Sequence, residues 1–189
     1  MYQTSYHKAG DVKQAVAALA NASDGKLLAG GQTLIPTMKQ RLAAPTDLVD
    51  VSAASELLGI KIEKRKKLGI LKADGGENIT IGAATTHAEV AGNADLAGVC
   101  PSICALAGGI GDPAVRHRGT IGGSIANNDP AADYPAAMLA LGATINTNKR
   151  SLEAKDFFTG LFSTALEEGE IIVSVSFSAP ETAGYGKFP

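Results

Sequence analysis

Gly108-Gly109-Ile110-Gly111-Asp112-Pro113-Ala114-Val115-Arg116-His117-Arg118-Gly119-Thr120-Ile121-Gly122-Gly123-Ser124 holds six of the chain's 22 glycines in 17 positions. In regular structure each glycine forgoes about 0.5–1 kcal/mol relative to alanine. Something must compensate: either the backbone needs positive φ there, or another molecule approaches it closely. A shorter stretch poses the same question. In Leu27-Leu28-Ala29-Gly30-Gly31-Gln32-Thr33-Leu34 a strand feeds a Gly-Gly turn and then a helix. Consecutive backbone N–H groups in such a turn make an anion-binding nest, and a helix start adds a favourable dipole. Thr33, Thr120 and Ser124 add hydroxyl donors. A diphosphate suits both stretches; two tight turns between packed elements are the plain alternative. No Gly-x-Gly-x-x-Gly follows a strand and no Gly-x-x-x-x-Gly-Lys-[Ser/Thr] occurs, so neither a Rossmann domain nor a P-loop is supported.

Outward from these stretches, Val12, Ala15, Val16 and Leu19 sit at helical spacing in residues 11–20, with Asp11 as cap. Residues 26–29 and 48–51 read as strands, and 34–42 as a helix opened by Thr33 with Pro36 in its first turn. The first 55 residues therefore read as β-α-β-α-β, most simply a small, partly parallel sheet. Residues 57–62, 67–72 and 78–83 read as successive strands, with turns at 64–66 and 74–76. Helices are expected at 86–92, 100–107 and 131–141, and strands at 144–147 and 170–178. The alternation of Ile171, Val173, Val175 and Phe177 makes the last strand the best marked. Helices and mostly antiparallel strands give an α+β second part.

Composition narrows the classes. Of 189 residues, 45% are apolar and 19% charged, with eight prolines and no Trp. That is too apolar for disorder, and a chain of this length buries roughly 70% of its unfolded surface. Between Tyr6 and Tyr134 lie 127 positions without Phe, Tyr or Trp, so the core must be built mostly from Ala, Val, Ile and Leu, with little ring volume. Net charge −2 gives no general electrostatic reason to bind nucleic acid. The first eight residues lack the apolar stretch of a secretory signal. No run approaches the ~20 apolar residues that span a bilayer. Two cysteines make no disulfide framework. These features lead to an expectation of a cytoplasmic protein.

Three segments together resemble the FAD-binding (medium) subunits of the molybdenum hydroxylases, of the carbon monoxide dehydrogenase, xanthine dehydrogenase and aldehyde oxidase types. They are Ala29-Gly30-Gly31-Gln32-Thr33-Leu34, Ile81-Gly82-Ala83-Ala84-Thr85-Thr86-His87, and Ile110-Gly111-Asp112-Pro113 running through Arg118-Gly119-Thr120-Ile121-Gly122-Gly123-Ser124-Ile125-Ala126-Asn127-Asn128-Asp129-Pro130-Ala131-Ala132-Asp133-Tyr134-Pro135. The resemblance runs in order along essentially the whole chain. It implies an α+β, two-subdomain FAD-binding domain of the vanillyl-alcohol-oxidase (PCMH) type. Residues 1–55 would form a small FAD-binding subdomain, 56–180 a larger one, and 181–189 the start of a linker. Family members usually continue into a C-terminal domain of three-stranded sheet and helices. The chain stops near where that domain would begin, which points to a truncated or fragmentary form.

By position, the resemblance implies that the backbone of Leu28, Ala29, Gly30, Gly31, Gln32, Thr33 and Leu34 binds the FAD diphosphate from one side. Thr120, Gly122, Gly123 and Ser124 would bind it and the ribityl chain from the other, with Asn127 also a cofactor contact. Ile110 and Gly111 would line the adenosine or flavin cleft. Asp133 would accept hydrogen bonds from ribityl hydroxyls or a loop amide, or else serve as a helix-start charge. Ile172 would pack near the isoalloxazine. Lys187 matches a lysine placed near the flavin's pyrimidine edge; at a chain end, a surface lysine is the alternative.

The implied activity is electron relay in a flavin-dependent oxidoreductase. Substrate would be hydroxylated in a molybdopterin-containing large subunit, and electrons would cross two [2Fe–2S] clusters in a small subunit. FAD here would pass them to NAD⁺ or another acceptor, so no catalytic acid, base or nucleophile is expected. The alternative is a non-catalytic FAD-binding or assembly module. Cys100 and Cys104 share a helix face but cannot supply four ligands to a cluster or structural zinc, so no metal site is expected. His7, His87 and His117 lack metal-ligand spacing, and His87 reads as a hydrogen-bonding group near the flavin cleft. Arg116-His117-Arg118 faces either a phosphate or solvent. The basic run 61–67 reads as an exposed hairpin or a docking patch for a partner subunit.

Overall fold

The computed structural model describes residues 2–64 and 76–188. The chain begins with β1 (Ser5–Lys8), α1 (Val12–Asn21), β2 (Gly25–Leu28), α2 (Leu34–Lys39) and β3 (Asp47–Asp50). The three strands form one sheet in the order β1-β3-β2, and both pairings are parallel. Helical spacing puts the apolar face of α1 on this sheet, and Asp11 accepts a hydrogen bond from the Gln14 N–H as the N-cap. Ala15, Val49, Val51, Ala54 and Leu57 are the buried centre of this core, joined by Ala84 and Ile171 from far along the chain.

A 3₁₀ turn (Ser55–Leu57) and Gly59, at φ +92°, lead into β4 (Ile60–Lys64). The strand expected at 57–62 is thus shortened and shifted, because the turn needs a left-handed residue. The strand expected at 67–72 lies outside the described residues, as do parts of both flanking turns and of the basic run. β5 (Glu77–Gly82), α3 (His87–Gly92), α4 (Ala94–Val99), α5 (Pro101–Gly108), α6 (Pro113–Arg116), α7 (Ile121–Asn127) and α8 (Asp133–Ala140) follow. Then come β6 (Thr144–Thr147), β7 (Ser151–Glu153), α9 (Ala154–Phe157), β8 (Phe158–Gly160), β9 (Ser163–Thr164) and β10 (Ile172–Ser178). The larger sheet runs β4-β5-β10-β6-β7, antiparallel throughout. Its helices cover Ile79, Ile81, Val175 and Phe177, and the fully buried rings Tyr134 and Phe157 lie in the same core.

Half of the long glycine stretch is helical rather than loop. Asp112 caps α6 through the Val115 N–H, and Thr120 caps α7 through the Gly123 N–H. Gly122 enters α7 because a Cβ there would stand 2.6 Å from the Ala83 Cβ and 2.7 Å from the Ala83 oxygen. The helix lies so close to the end of β5 that only glycine fits. No described helix is long and apolar enough to cross a membrane.

Candidate functional site: a glycine-walled cleft between two sheets

The two glycine stretches meet. A Cβ on Gly30 would fall 2.1 Å from the Arg118 carbonyl oxygen and 2.7 Å from the Gly119 Cα. Gly31 holds φ +70° and turns the chain from β2 into α2. Gly111 is left-handed too, at φ +53°, and its carbonyl accepts from Arg116 at 2.8 Å. Both routes to a glycine are therefore used, but at Gly30 and Gly122 the close neighbour is the chain's own backbone.

Beside this meeting point a cleft of about 570 Å³ opens, walled by both stretches. From the first come Leu28, Ala29, Gly30, Gly31, Gln32, Thr33 and Leu34. From the second come Ile110, Thr120, Gly122, Gly123, Ser124 and Asn127, and the start of β10 adds Ile172. Fourteen of the seventeen residues singled out in the sequence thus line one cavity. Gly111, Asp133 and Lys187 do not. Lys187 Nζ instead donates to Asp133 Oδ2 at 3.0 Å, tying the C-terminal segment to the first turn of α8.

The two walls offer different chemistry. Among the described residues, the N–H groups of Gly30, Gly31, Gln32, Thr33 and Leu34 have no acceptor; the first to be bonded is Ile35, to the Gly31 oxygen. Thr33 begins α2 without a side-chain capping bond. Five consecutive N–H groups on this wall are therefore left to solvent or a ligand. The opposite wall has spent its amides. Ile121 N–H donates to the Thr85 oxygen, Gly122 N–H to the Ala83 oxygen and Gly123 N–H to Thr120 Oγ1. What remains on that wall are the half-buried side chains of Ser124 and Asn127, without hydrogen-bond partners among the described residues. The donors on offer are thus backbone on one side and side chain on the other.

Residues that the sequence did not single out complete the walls: Ala83 and Ala84 after β5, Val115, Gly119, Leu166, and Glu170-Ile171. Glu170 carries a fully buried carboxylate, held by Arg150 Nε and Nη2 at 3.0 Å each, by Thr147 Oγ1 and by the Glu167 N–H. The Arg150 guanidinium holds this carboxyl at about 2, against the desolvation that opposes it. No sequence pattern announces Glu170, because its partner lies twenty residues away across β6–β7. His87, 5% exposed at the start of α3, also lines the cleft. Burial pushes its imidazole down to about 4, so it is neutral near neutral pH. Cys100 and Cys104 are buried free thiols, and the described residues contain no cluster of three His, Cys, Asp or Glu side chains able to hold a metal.

Comparison with known proteins decides the family. Residues 2–180 match the family described as FAD binding domain in molybdopterin dehydrogenase. The chain belongs to this family. This FAD-binding domain is 38% identical over 186 residues to the carbon monoxide dehydrogenase medium chain of Afipia carboxidovorans, covering 96% of the present chain and 60% of that protein. Among solved structures it superposes on carbon monoxide dehydrogenase from Hydrogenophaga pseudoflava with TM-score 0.82 and 37% identity, covering 94% of this chain and 59% of that one. Quinoline 2-oxidoreductase from Pseudomonas putida gives TM-score 0.83 and 33% identity, covering 94% and 60%. The domain spans about 60% of the length of the curated relatives it matches. The α+β fold and the FAD cofactor follow from family membership. Five consecutive N–H groups without an acceptor among the described residues and a cleft of this volume suit an anionic, partly apolar ligand such as FAD.

Proposed function

We propose that this domain is the flavin module of a molybdenum hydroxylase, relaying electrons from the [2Fe–2S] clusters of a small subunit to an acceptor such as NAD⁺. The oxidised substrate would be chosen in a molybdopterin-containing large subunit. One observation carries the reading most: Gly30 to Leu34, five consecutive residues whose N–H groups have no acceptor among the described residues, line a cleft whose far wall carries the Ser124 and Asn127 side chains, likewise without partners among the described residues. When bound, the flavin supplies the one- and two-electron chemistry. The Gly30–Leu34 amides would hold the diphosphate. Ser124 and Asn127 would answer hydroxyls of the polyol chain. Ile110, Leu166 and Ile172 supply apolar wall and keep water from the rings.

The test begins with the chain alone. Purified protein should take up one FAD, and at a hundredfold excess over Kd the cofactor should stabilise it by about 2.7 kcal/mol. Equal melting temperatures with and without FAD refute the binding reading. The relay reading is then tested by adding the molybdenum and iron–sulfur subunits and following NAD⁺ reduction. FAD uptake with no electron transfer to any acceptor would leave a binding or assembly module.

A further inference from the structure

Among the described residues lining the cleft, His87 is the basic side chain without a partner. Lys26 is paired with Asp24 at 3.1 Å. Of the cleft's two carboxylates, Glu170 is paired with Arg150, and Asp129 accepts from the Ala131 N–H. His87 makes no side-chain hydrogen bond to a described residue, and its Nδ1 is sealed from solvent as well. A buried polar atom without a partner calls for a reason.

The position of the ring suggests one. A Cβ on Gly119 would stand 2.7 Å from His87 Nε2, and a Cβ on Gly30 would stand 2.7 Å from the Gly119 Cα. The imidazole therefore lies against Gly119, whose backbone lies in turn against Gly30, the first of the five residues whose N–H groups have no acceptor among the described residues. The His87 N–H donates to the Gly119 oxygen at 2.9 Å and fixes the ring's backbone to that contact.

Resting on the FAD reading above, we propose that His87 supplies the positive charge of the cofactor site: its imidazole takes up one proton from solvent when a diphosphate lies on the Gly30–Leu34 amides. On α3, Glu89 is engaged with Thr86 in a capping box. From α5 comes the neutral Cys104 thiol, raised by burial. From α8 comes the Tyr134 ring, 5.4 Å away, its phenol pushed far up by burial, and Asp133 beside it is bound to Lys187. In the segment after Ile110, Arg116 donates to the Ile110 and Gly111 carbonyls and His117 bonds the Pro113 oxygen. Arg118 lies exposed outside the cleft lining. Burial alone keeps the ring neutral without an anion.

Because the bound form holds the extra proton, affinity must rise as pH falls. Calorimetric titration of the whole chain with FAD near pH 6, in two buffers of different ionisation enthalpy, should show net proton uptake. Affinity should tighten by up to about tenfold per pH unit as pH falls from about 8 toward 5, the limit for one proton. His87→Gln should bind FAD more weakly, without uptake and with a flat pH profile. If that variant does not fold, the ¹⁵N shifts of the wild-type His87 ring should still move from neutral to imidazolium on adding FAD. Wild-type protein that binds FAD with no proton uptake and an unchanged neutral ring overturns the proposal and leaves the FAD reading standing. Failure to bind FAD at all removes both.

Discussion

Replacing Gly30 by alanine puts a methyl group where the carbonyl oxygen of Arg118 already stands. The new Cβ would be 2.1 Å from that oxygen and 2.7 Å from both the Arg118 carbonyl carbon and the Gly119 Cα. Ordinary contact begins near 3.4 Å, so the two stretches must part by about 1.3 Å. Every obstructing atom is backbone, so no side chain can swing aside. Parting them pulls on the bond from the His87 N–H to the Gly119 oxygen and on those from Ile121 and Gly122 to Thr85 and Ala83. Overpacking of this kind, with a strained or lost buried backbone bond, costs about 2–4 kcal/mol. For a chain of this size that lowers Tm by roughly 5–15 °C. Gly98→Ala in α4 is the control: a Cβ there meets nothing within 4 Å, and the change should stabilise by about 0.5–1 kcal/mol. Calorimetry of both variants, with FAD titration of each, checks the reasoning. If Gly30→Ala melts with the wild type and binds FAD equally, the two stretches do not pack as described.

Three further outcomes follow from the same contacts. Thr86→Ala removes the hydroxyl that accepts from the Glu89 N–H and donates to its carboxylate, while the residue-86 N–H to Glu89 half of the capping box on α3 remains. It should cost about 1 kcal/mol, read as a lower denaturant midpoint at unchanged slope. Asn128 sits at φ +43° and donates from one amide nitrogen to the Gly160 and Ser163 oxygens, both at 2.8 Å. Asn128→Ala should therefore cost about 2 kcal/mol and raise hydrogen exchange in β8 and β9, which pair only with each other, before the larger sheet. Glu170 gives a pH signature. Its carboxyl sits at about 2 in the folded chain and near 4.3 unfolded. Its stabilising contribution is complete above that upper value and lost as pH falls toward 2. Thermal melts of Glu170→Gln should run below wild type at neutral pH and converge with it in this acid window. A gap independent of pH contradicts the Arg150–Glu170 account.

Much of the architecture was legible because local signals and tertiary environment agree. Asp11 caps α1 as its spacing implies, and the alternation from Ile171 to Phe177 appears as β10, the central strand of the larger sheet. The β-α-β-α-β start is present as well, as a wholly parallel sheet. The failures have physical causes. Residues 121–127 look like loop because Gly122 and Gly123 are poor helix formers, yet the Thr120 cap and the tight fit against Ala83 stabilise the helix. The helix at 94–99 is short and begins on an Asn93 cap directly after α3, leaving no separate periodicity to read. β8 and β9, three and two residues long, are held by Asn128 from a distant segment.

The glycines mark the division most clearly. The amino-acid sequence by itself placed them in two stretches and, with their flanking residues, carried the family. A six-glycine motif has few physical uses, and its order along the chain is covalent. What those glycines do was decided only in three dimensions. Gly31 and Gly111 answer a backbone angle, whereas Gly30, Gly119 and Gly122 are thin because another part of the same chain lies against them. The division between donor walls is tertiary for the same reason: an N–H is available to a ligand only if no carbonyl of the fold has reached it first. Those carbonyls belong to Thr85 and Ala83, more than thirty residues away.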